Sequence, residues 1–254
     1  MFEELGADVI SVGADPDGLN INRDCGATSP DLLRAHVLME RADIGVALDG
    51  DADRLIMVDH RGEIVDGDEL LYVLVKSRLD SGEKVPGVAG TLMSNLGLEH
   101  GLRELGVDFV RAKVGDRYVL EELRQRDWML GGESSGHIIC LDRTTTGDGL
   151  VAALQILAYV QQSGEPLANL RAGMTRYPQV LVNVPLSHRE ALNENAEVQK
   201  AVADAEAELG DSGRVLLRPS GTEPVVRVMV EGRVANDVEK ICNRVADAVG
   251  KIMG

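Results

Sequence analysis

The chain has 254 residues, with 26 lysines and arginines against 42 aspartates and glutamates, a formal net charge of −16. No basic stripe is available to neutralise a nucleic-acid backbone, which argues against a general nucleic-acid binder, although a few placed arginines can still hold one small anion. Hydrophobic residues make up 44% and aromatics only 3%, so any core is built from Val, Leu, Ile, Ala and Met.

The length suits about two domains or three small ones. No apolar run approaches the ~20 residues that span a bilayer, and no secretory leader is expected. Cys25, Cys140 and Cys242 are scattered and odd in number, which fits reduced thiols and a cytoplasmic location.

The first residues read as the last turn of a helix stopped by Gly6, then a strand over 8–12. A helix that short cannot stand alone, so the chain is expected to begin inside a domain. Asp15-Pro16-Asp17-Gly18 is a turn, and Asp15, Asp17, Asn20 and Asn22 are expected turn formers. Ser29-Pro30 opens a helix to about residue 41, followed by a strand over 44–48 and a return strand over 55–59 that reverses at His60-Arg61-Gly62.

A second unit starts near Val65. It reads helix 69–79, strand 85–91, helix 96–105, strand 107–112, helix 116–126, short strands 128–130 and 138–141, and a buried helix 149–162. Strands alternating with helices at this spacing imply an α/β layer sandwich. A third unit reads strand 179–184, helix 196–209, strands 214–217 and 225–231, and helix 236–252. Two adjacent strands joined by a glycine-containing loop suggest an antiparallel pair, hence a smaller α+β domain. The expected division is 1–64, 65–172 and 173–254, with a hinge in 164–177.

Four stretches carry chemistry. The strand ending at Leu48 feeds Asp49-Gly50-Asp51-Ala52-Asp53-Arg54, three aspartates at alternate positions. Three carboxylates turned toward one point repel one another unless a cation lies between them, and hard oxygen ligands in a compact cage suit Mg²⁺. A solvated acidic turn is the plain alternative. An EF-hand fails, because it needs Gly at Arg54 and a bidentate Glu at His60. An aspartyl phosphatase, with Asp49 as nucleophile and Asp51 as acid/base, stays open.

Gly131-Gly132-Glu133-Ser134-Ser135-Gly136-His137 joins two short strands. Glu133 offers an acceptor and Ser135 a donor suited to sugar hydroxyls, while His137 is either a proton carrier near neutral pH or a structural histidine. Arg218-Pro219-Ser220-Gly221-Thr222-Glu223-Pro224, with Arg227 beyond it, has hydroxyls, backbone N–H groups and two guanidinium groups that could wrap a phosphate; otherwise it is a plain hairpin turn. Lys113, in Lys113-Val114-Gly115-Asp116-Arg117, is a ligand contact or an acid/base group, and Asp116 a possible helix cap. Residues 144–149 read as a helix entry.

Taken in order, Asp49–Arg54, Lys113–Arg117, Gly132–His137 and Arg218–Pro224 resemble the motifs of the α-D-phosphohexomutase family, and the likeness runs essentially end to end. The resemblance implies layered α/β/α domains followed by a smaller α+β carboxy-terminal domain. It implies Mg²⁺ held by Asp49, Asp51 and Asp53, with Arg54 beside the transferring phosphoryl group. Glu133 and Ser135 would contact sugar hydroxyls, and Lys113 and His137 would be candidates for proton transfer. Arg218, Ser220, Gly221, Thr222 and Arg227 would grip the phosphate that is not reacting.

The implied substrate is a phosphorylated hexosamine, interconverted between 6- and 1-phosphates through a bisphosphate. The family's phosphoserine loop, of the Thr-Ala-Ser-His-Asn-Pro kind, has no counterpart here, so an amino-terminal phosphoserine domain is the implied partner. A mutase acting on mannose or glucose phosphates and a Mg²⁺- or sugar-phosphate-binding protein without catalysis are the alternatives.

Overall fold

The computed structural model describes residues 1–185, 195–220 and 224–253. They fall into two compact units: residues 1–94 with 101–174, and residues 95–100 with 175–254.

The first unit opens on a 3-10 turn, Glu3–Leu5, closed by Gly6 at φ 91°. The strand expected over 8–12 does not form. Val9 and Ile10 are exposed, and no strand among the described residues pairs with them. An apolar alternation alone cannot satisfy a strand's backbone groups. Asp17 and Asn20 do form the turn, through Asp17 N–H to Asn20 Oδ1 (3.0 Å) and Leu19 N–H to Asp17 Oδ1 (2.7 Å).

Helix α1 (Asp31–Glu40) packs on an antiparallel sheet of β1 (Ile44–Leu48), β2 (Leu55–Asp59) and β3 (Ile64–Val65), in that order. β2 is buried along its whole length. β3 is only two residues long, too short for alternation to reveal it.

Helix α2 (Gly67–Asp80) begins at a capping box: the Asp66 carboxylate accepts from the N–H groups of Asp68 and Glu69, and Glu69 reaches back to Asp66 N–H. Next come β4 (Gly87–Thr91), α3 (Leu96–Glu104, whose residues up to His100 belong to the second unit), β5 (Asp108–Ala112), α4 (Asp116–Arg126), β6 (Leu130–Gly132) and β7 (Ile138–Cys140). The sheet order is β5-β4-β6-β7; the first three strands run parallel and β7 is antiparallel to β6. The unit is completed by α5 (Gly149–Ser163) and a one-turn α6 (Leu167–Leu170).

Two adjacent glycines show how the layers close. A Cβ at Gly131 would meet Val119 and Leu123 of α4, whereas one at Gly132 would meet Leu71 of α2. Successive strand residues face opposite sides, so α4 covers one face and α2 the other, the α/β/α sandwich expected from the sequence. The α4 side closes around Ala89, Ala112, Val119, Leu123, Trp128 and Ile139. Asp116 is the first residue inside α4 and makes no capping bond; Gly115, at φ 127°, holds the cap position. That backbone region is strained for a residue with a side chain, so glycine takes the place expected for an aspartate cap.

The second unit holds β8 (Gln179–Pro185), α7 (Ala196–Leu209), β9 (Gly213–Pro219), β10 (Val225–Gly232) and α8 (Ala235–Met253). Its sheet is antiparallel throughout, ordered β8-β10-β9, as the α+β expectation requires. Val198 and Ala205 of α7 and Val238, Ile241, Cys242, Val245 and Val249 of α8 pack on Val184, Val226, Val228 and Val230. Asn95 joins this unit by exchanging two 2.9 Å hydrogen bonds with the backbone of Tyr177.

Candidate functional site

The aspartate loop leaves β1 as a turn, with Ala52 N–H donating to Asp49 O (3.1 Å). Ala52 sits at φ 59°, a left-handed conformation that disfavours a residue bearing a Cβ. Strain of that kind is retained where the surrounding structure needs it, and here it brings alternate side chains to one side. One carboxylate oxygen from each of Asp49, Asp51 and Asp53 lies within 4.8 Å of the others.

Asp49 is held by its own loop: Oδ1 accepts from Arg54 N–H (3.0 Å), and Oδ2 lies 3.7 Å from Arg54 Nε. Partial burial, followed by the Asp49 charge, pushes the Asp53 carboxyl above its ordinary range, with His137 opposing. A divalent cation between the three would relieve that repulsion, and an all-oxygen set is the kind Mg²⁺ accepts. The residues present therefore fit the ion.

The loop from Glu133 to His137 is tied to this turn. β6 and β7 form a hairpin whose connection, Glu133 to His137, is closed by Gly136 N–H to Glu133 O and Glu133 N–H to His137 O, both 3.0 Å. Arg54 and His137 pair as an isolated antiparallel bridge, and Leu55 N–H donates to Gly136 O at 2.9 Å. The His137 ring is buried, with Nδ1 3.0 Å from Asp53 Oδ2. Ser135 is exposed at the hairpin tip.

Glu133 Oε1 accepts from Gly115 N–H at 2.9 Å, which couples the hairpin to the loop after β5. Both loops leave the carboxyl ends of parallel strands, where open α/β sheets bind ligands. Lys113 is exposed there with its ammonium 5.7 Å from the centre of the Tyr118 ring, and among the described residues no hydrogen bond or ion pair joins it to the aspartates.

Two supporting glycines escaped the sequence reading. Asp66 and Asp148 each cap a helix, and each is followed by glycine. A side chain at Gly67 would run into the backbone of Glu133 and Gly136, and Gly67 N–H donates to Ser134 O at 3.1 Å. A Cβ at Gly149 would come within 2.7 Å of Arg54 O and 3.1 Å of Ala52 O. Glycine costs about 1 kcal/mol inside a helix, so the repeated Asp-Gly doublet was the available signal that these helix starts abut something close.

In the second unit, β9 and β10 place Arg218 directly opposite Arg227. Facing residues on neighbouring strands share a side of the sheet, and two like charges there are unfavourable without an anion. Arg218 Nε is buried with no hydrogen-bond partner among the described residues. Ser220 is buried and its N–H closes the turn onto Val225 O at 2.8 Å. Gly221 and Thr222 lie outside the described residues.

Comparison with known proteins gives a consistent picture. The family model for phosphoglucomutase/phosphomannomutase α/β/α domain III matches residues 66–177, and that for the phosphoglucomutase/phosphomannomutase C-terminal domain matches 181–248. Relatives named phosphoglucosamine mutase include those of Methylococcus capsulatus, 60% identical, and Alcanivorax borkumensis, 55% identical; each match covers 99% of this chain and 56% of the relative. The chain thus spans about half the length of the curated relatives it matches.

Among solved structures, a phosphoglucomutase/phosphomannomutase family protein from Burkholderia thailandensis superposes with a TM-score of 0.80 at 25% identity, covering 98% of this chain and 56% of that one. The Aspergillus fumigatus N-acetylphosphoglucosamine mutase, solved with GlcNAc-6P and magnesium, shares the fold with a TM-score of 0.73 at 21% identity, over 92% of this chain and 54% of that one.

Proposed function

Since the chain belongs to the phosphoglucomutase/phosphomannomutase family, we propose that it supplies the metal, sugar and phosphate loops of a phosphoglucosamine mutase, which interconverts glucosamine 6-phosphate and glucosamine 1-phosphate through a bisphosphate. Such a reaction feeds amino-sugar nucleotide and cell-wall precursor synthesis in the cytoplasm. On this reading residues 1–64 belong to a second domain, 65–172 form a third and 173–254 a fourth. An amino-terminal phosphoserine domain is the catalytic partner. No helix among the described residues is long and apolar enough to cross a bilayer.

The observation that carries the proposal is the convergence of Asp49, Asp51 and Asp53 at the exit of β1, backbone-paired through Arg54 to the Glu133–His137 hairpin. The three aspartates hold Mg²⁺, which supplies charge stabilisation to a transferring phosphoryl group. Arg54 adds a guanidinium beside that group. Glu133 keeps one oxygen on Gly115 N–H and presents the other to a sugar hydroxyl, with Ser135 beside it. Lys113 and His137 are the groups available for proton transfer. Arg218, Ser220, Gly221, Thr222 and Arg227 grip the phosphate that is not reacting.

An aspartyl phosphatase needs further acidic residues at the same metal, and Asp148, the downstream residue on offer, serves as a helix cap instead: its carboxylate accepts from Leu150 N–H (3.0 Å) and Val151 N–H (2.9 Å). Calorimetric titration with glucosamine 6-phosphate and Mg²⁺ tests the proposal. Binding that is lost in Arg218→Ala and in Asp51→Asn supports it, and binding indifferent to both refutes it. The chain alone, given bisphosphate and Mg²⁺, is expected to form no glucosamine 1-phosphate.

A further inference from the structure

We propose that His137 is a positioning residue for Asp53, orienting that carboxylate toward the metal through a hydrogen bond from its ring. The inference rests on the metal reading of the three aspartates and adds a role that proton transfer to a sugar does not contain.

The ring's surroundings carry the argument. His137 is 5% exposed. Its Nδ1 lies 3.0 Å from Asp53 Oδ2, and an ionised carboxylate only accepts, so the proton of this bond is on Nδ1. The other nitrogen, Nε2, is buried with no partner among the described residues and lies against Gly147, where any Cβ would overlap the ring. The polar partner of the ring is therefore Asp53.

The backbone holds this arrangement in place. The Arg54–His137 bridge and the Leu55–Gly136 hydrogen bond set the register between the aspartate loop and the hairpin. Gly147 leaves room for the ring, and residue 147 also bridges to Ile139 of the same hairpin. Asp49 takes its orientation from Arg54 N–H, inside its own loop. Asp53 takes its orientation from the Glu133–His137 hairpin, on the far side of the isolated Arg54–His137 bridge. Ligating carboxylates are commonly held by outer hydrogen bonds of this kind, whose loss costs 10- to 100-fold in metal affinity.

Substitutions separate the two nitrogens, because an asparagine amide can occupy the Nδ1 position and a glutamine amide the Nε2 position. Mg²⁺ titration calorimetry of the chain is expected to show H137Q weakened about 10- to 100-fold and H137N restored to within a few-fold of wild type. H137Q binding as wild type does, or H137N as weak as H137Q, overturns the positioning role. D51N separates the premises: no Mg²⁺ binding by wild type defeats the metal reading itself, while loss in D51N with H137Q unaffected defeats only the role of His137. A measurement on the unaltered chain guards against misfolded variants. The ¹H–¹⁵N correlation of the His137 ring is expected to show the Nδ1-protonated tautomer, and the Nε2-protonated form would overturn the proposal.

Discussion

Arg171 holds together two carboxylates that are almost wholly buried. Its Nη1 lies 2.5 Å from Glu69 Oε1, and its Nη2 and Nε lie 3.1 and 3.3 Å from Asp59 Oδ2. The side chains of Asp59 and Glu69 are 0% and 1% exposed. Replacing Arg171 by Met keeps the apolar stem and removes the charge. Breaking a buried pair from one side costs about 3–5 kcal/mol. Asp59 still accepts from Arg61 and Glu63 N–H, and Glu69 from Asp66 N–H, so the lower figure of about 3 kcal/mol applies. Thermal melting should fall by roughly 6–12 °C at neutral pH. Arg171→Lys should fall between the two, since one ammonium cannot bridge as a guanidinium does.

The pH dependence has a definite sign. Burial, then the Asp66 charge, raises the Glu69 carboxyl above its ordinary 4.5, with Arg171 opposing, so losing Arg171 raises it further. A carboxyl raised in the folded state binds its proton more tightly there than in the unfolded chain. The favourable contribution is therefore complete below the unfolded value and lost as pH rises through the folded one. The deficit of Arg171→Met should shrink as pH falls from 7.5 toward 5. A loss under about 1 kcal/mol at pH 7.5, or a deficit that grows on acidification, would refute the reasoning.

Gly149→Ala places a methyl 2.7 Å from Arg54 O and should weaken Mg²⁺ binding by calorimetry about tenfold, while helix content by circular dichroism is unchanged; unchanged affinity would contradict the packing. Inorganic phosphate at ten times its dissociation constant should stabilise the second unit by about 1.4 kcal/mol, seen as raised melting. In Arg218→Ala that gain should vanish, and a gain equal to that of the wild type would contradict the role of the Arg218–Arg227 pair. Burial pushes the Cys140 and Cys242 thiols up, so a thiol reagent should label Cys25 alone in the native chain and all three after denaturation.

Most elements were legible because their patterns are local. Helices Asp116–Arg126 and Ala196–Leu209 show helical spacing over their whole length and appear with the expected ends. β3 and α6 were missed because two and four residues are too short to show a period. The strand expected over 8–12 needed a partner, and pairing cannot be read from alternation. At the site, the alternate aspartates and the opposed arginines could be read from residue types and spacing. The Arg54–His137 bridge, the enclosed ring and the Gly67 and Gly149 contacts could not, because each joins segments far apart in the chain. Arg171 gave no warning either; nothing local to it announces partners at Asp59 and Glu69.

The central claim is that the loop after β1 exists to hold a divalent ion. Anomalous diffraction from crystals soaked in Mn²⁺ addresses it most directly. The expected result is a single strong peak about 2.0–2.3 Å from a carboxylate oxygen of each of Asp49, Asp51 and Asp53. No peak at that loop under saturating Mn²⁺, or one bound elsewhere while the three carboxylates point apart, would contradict the account.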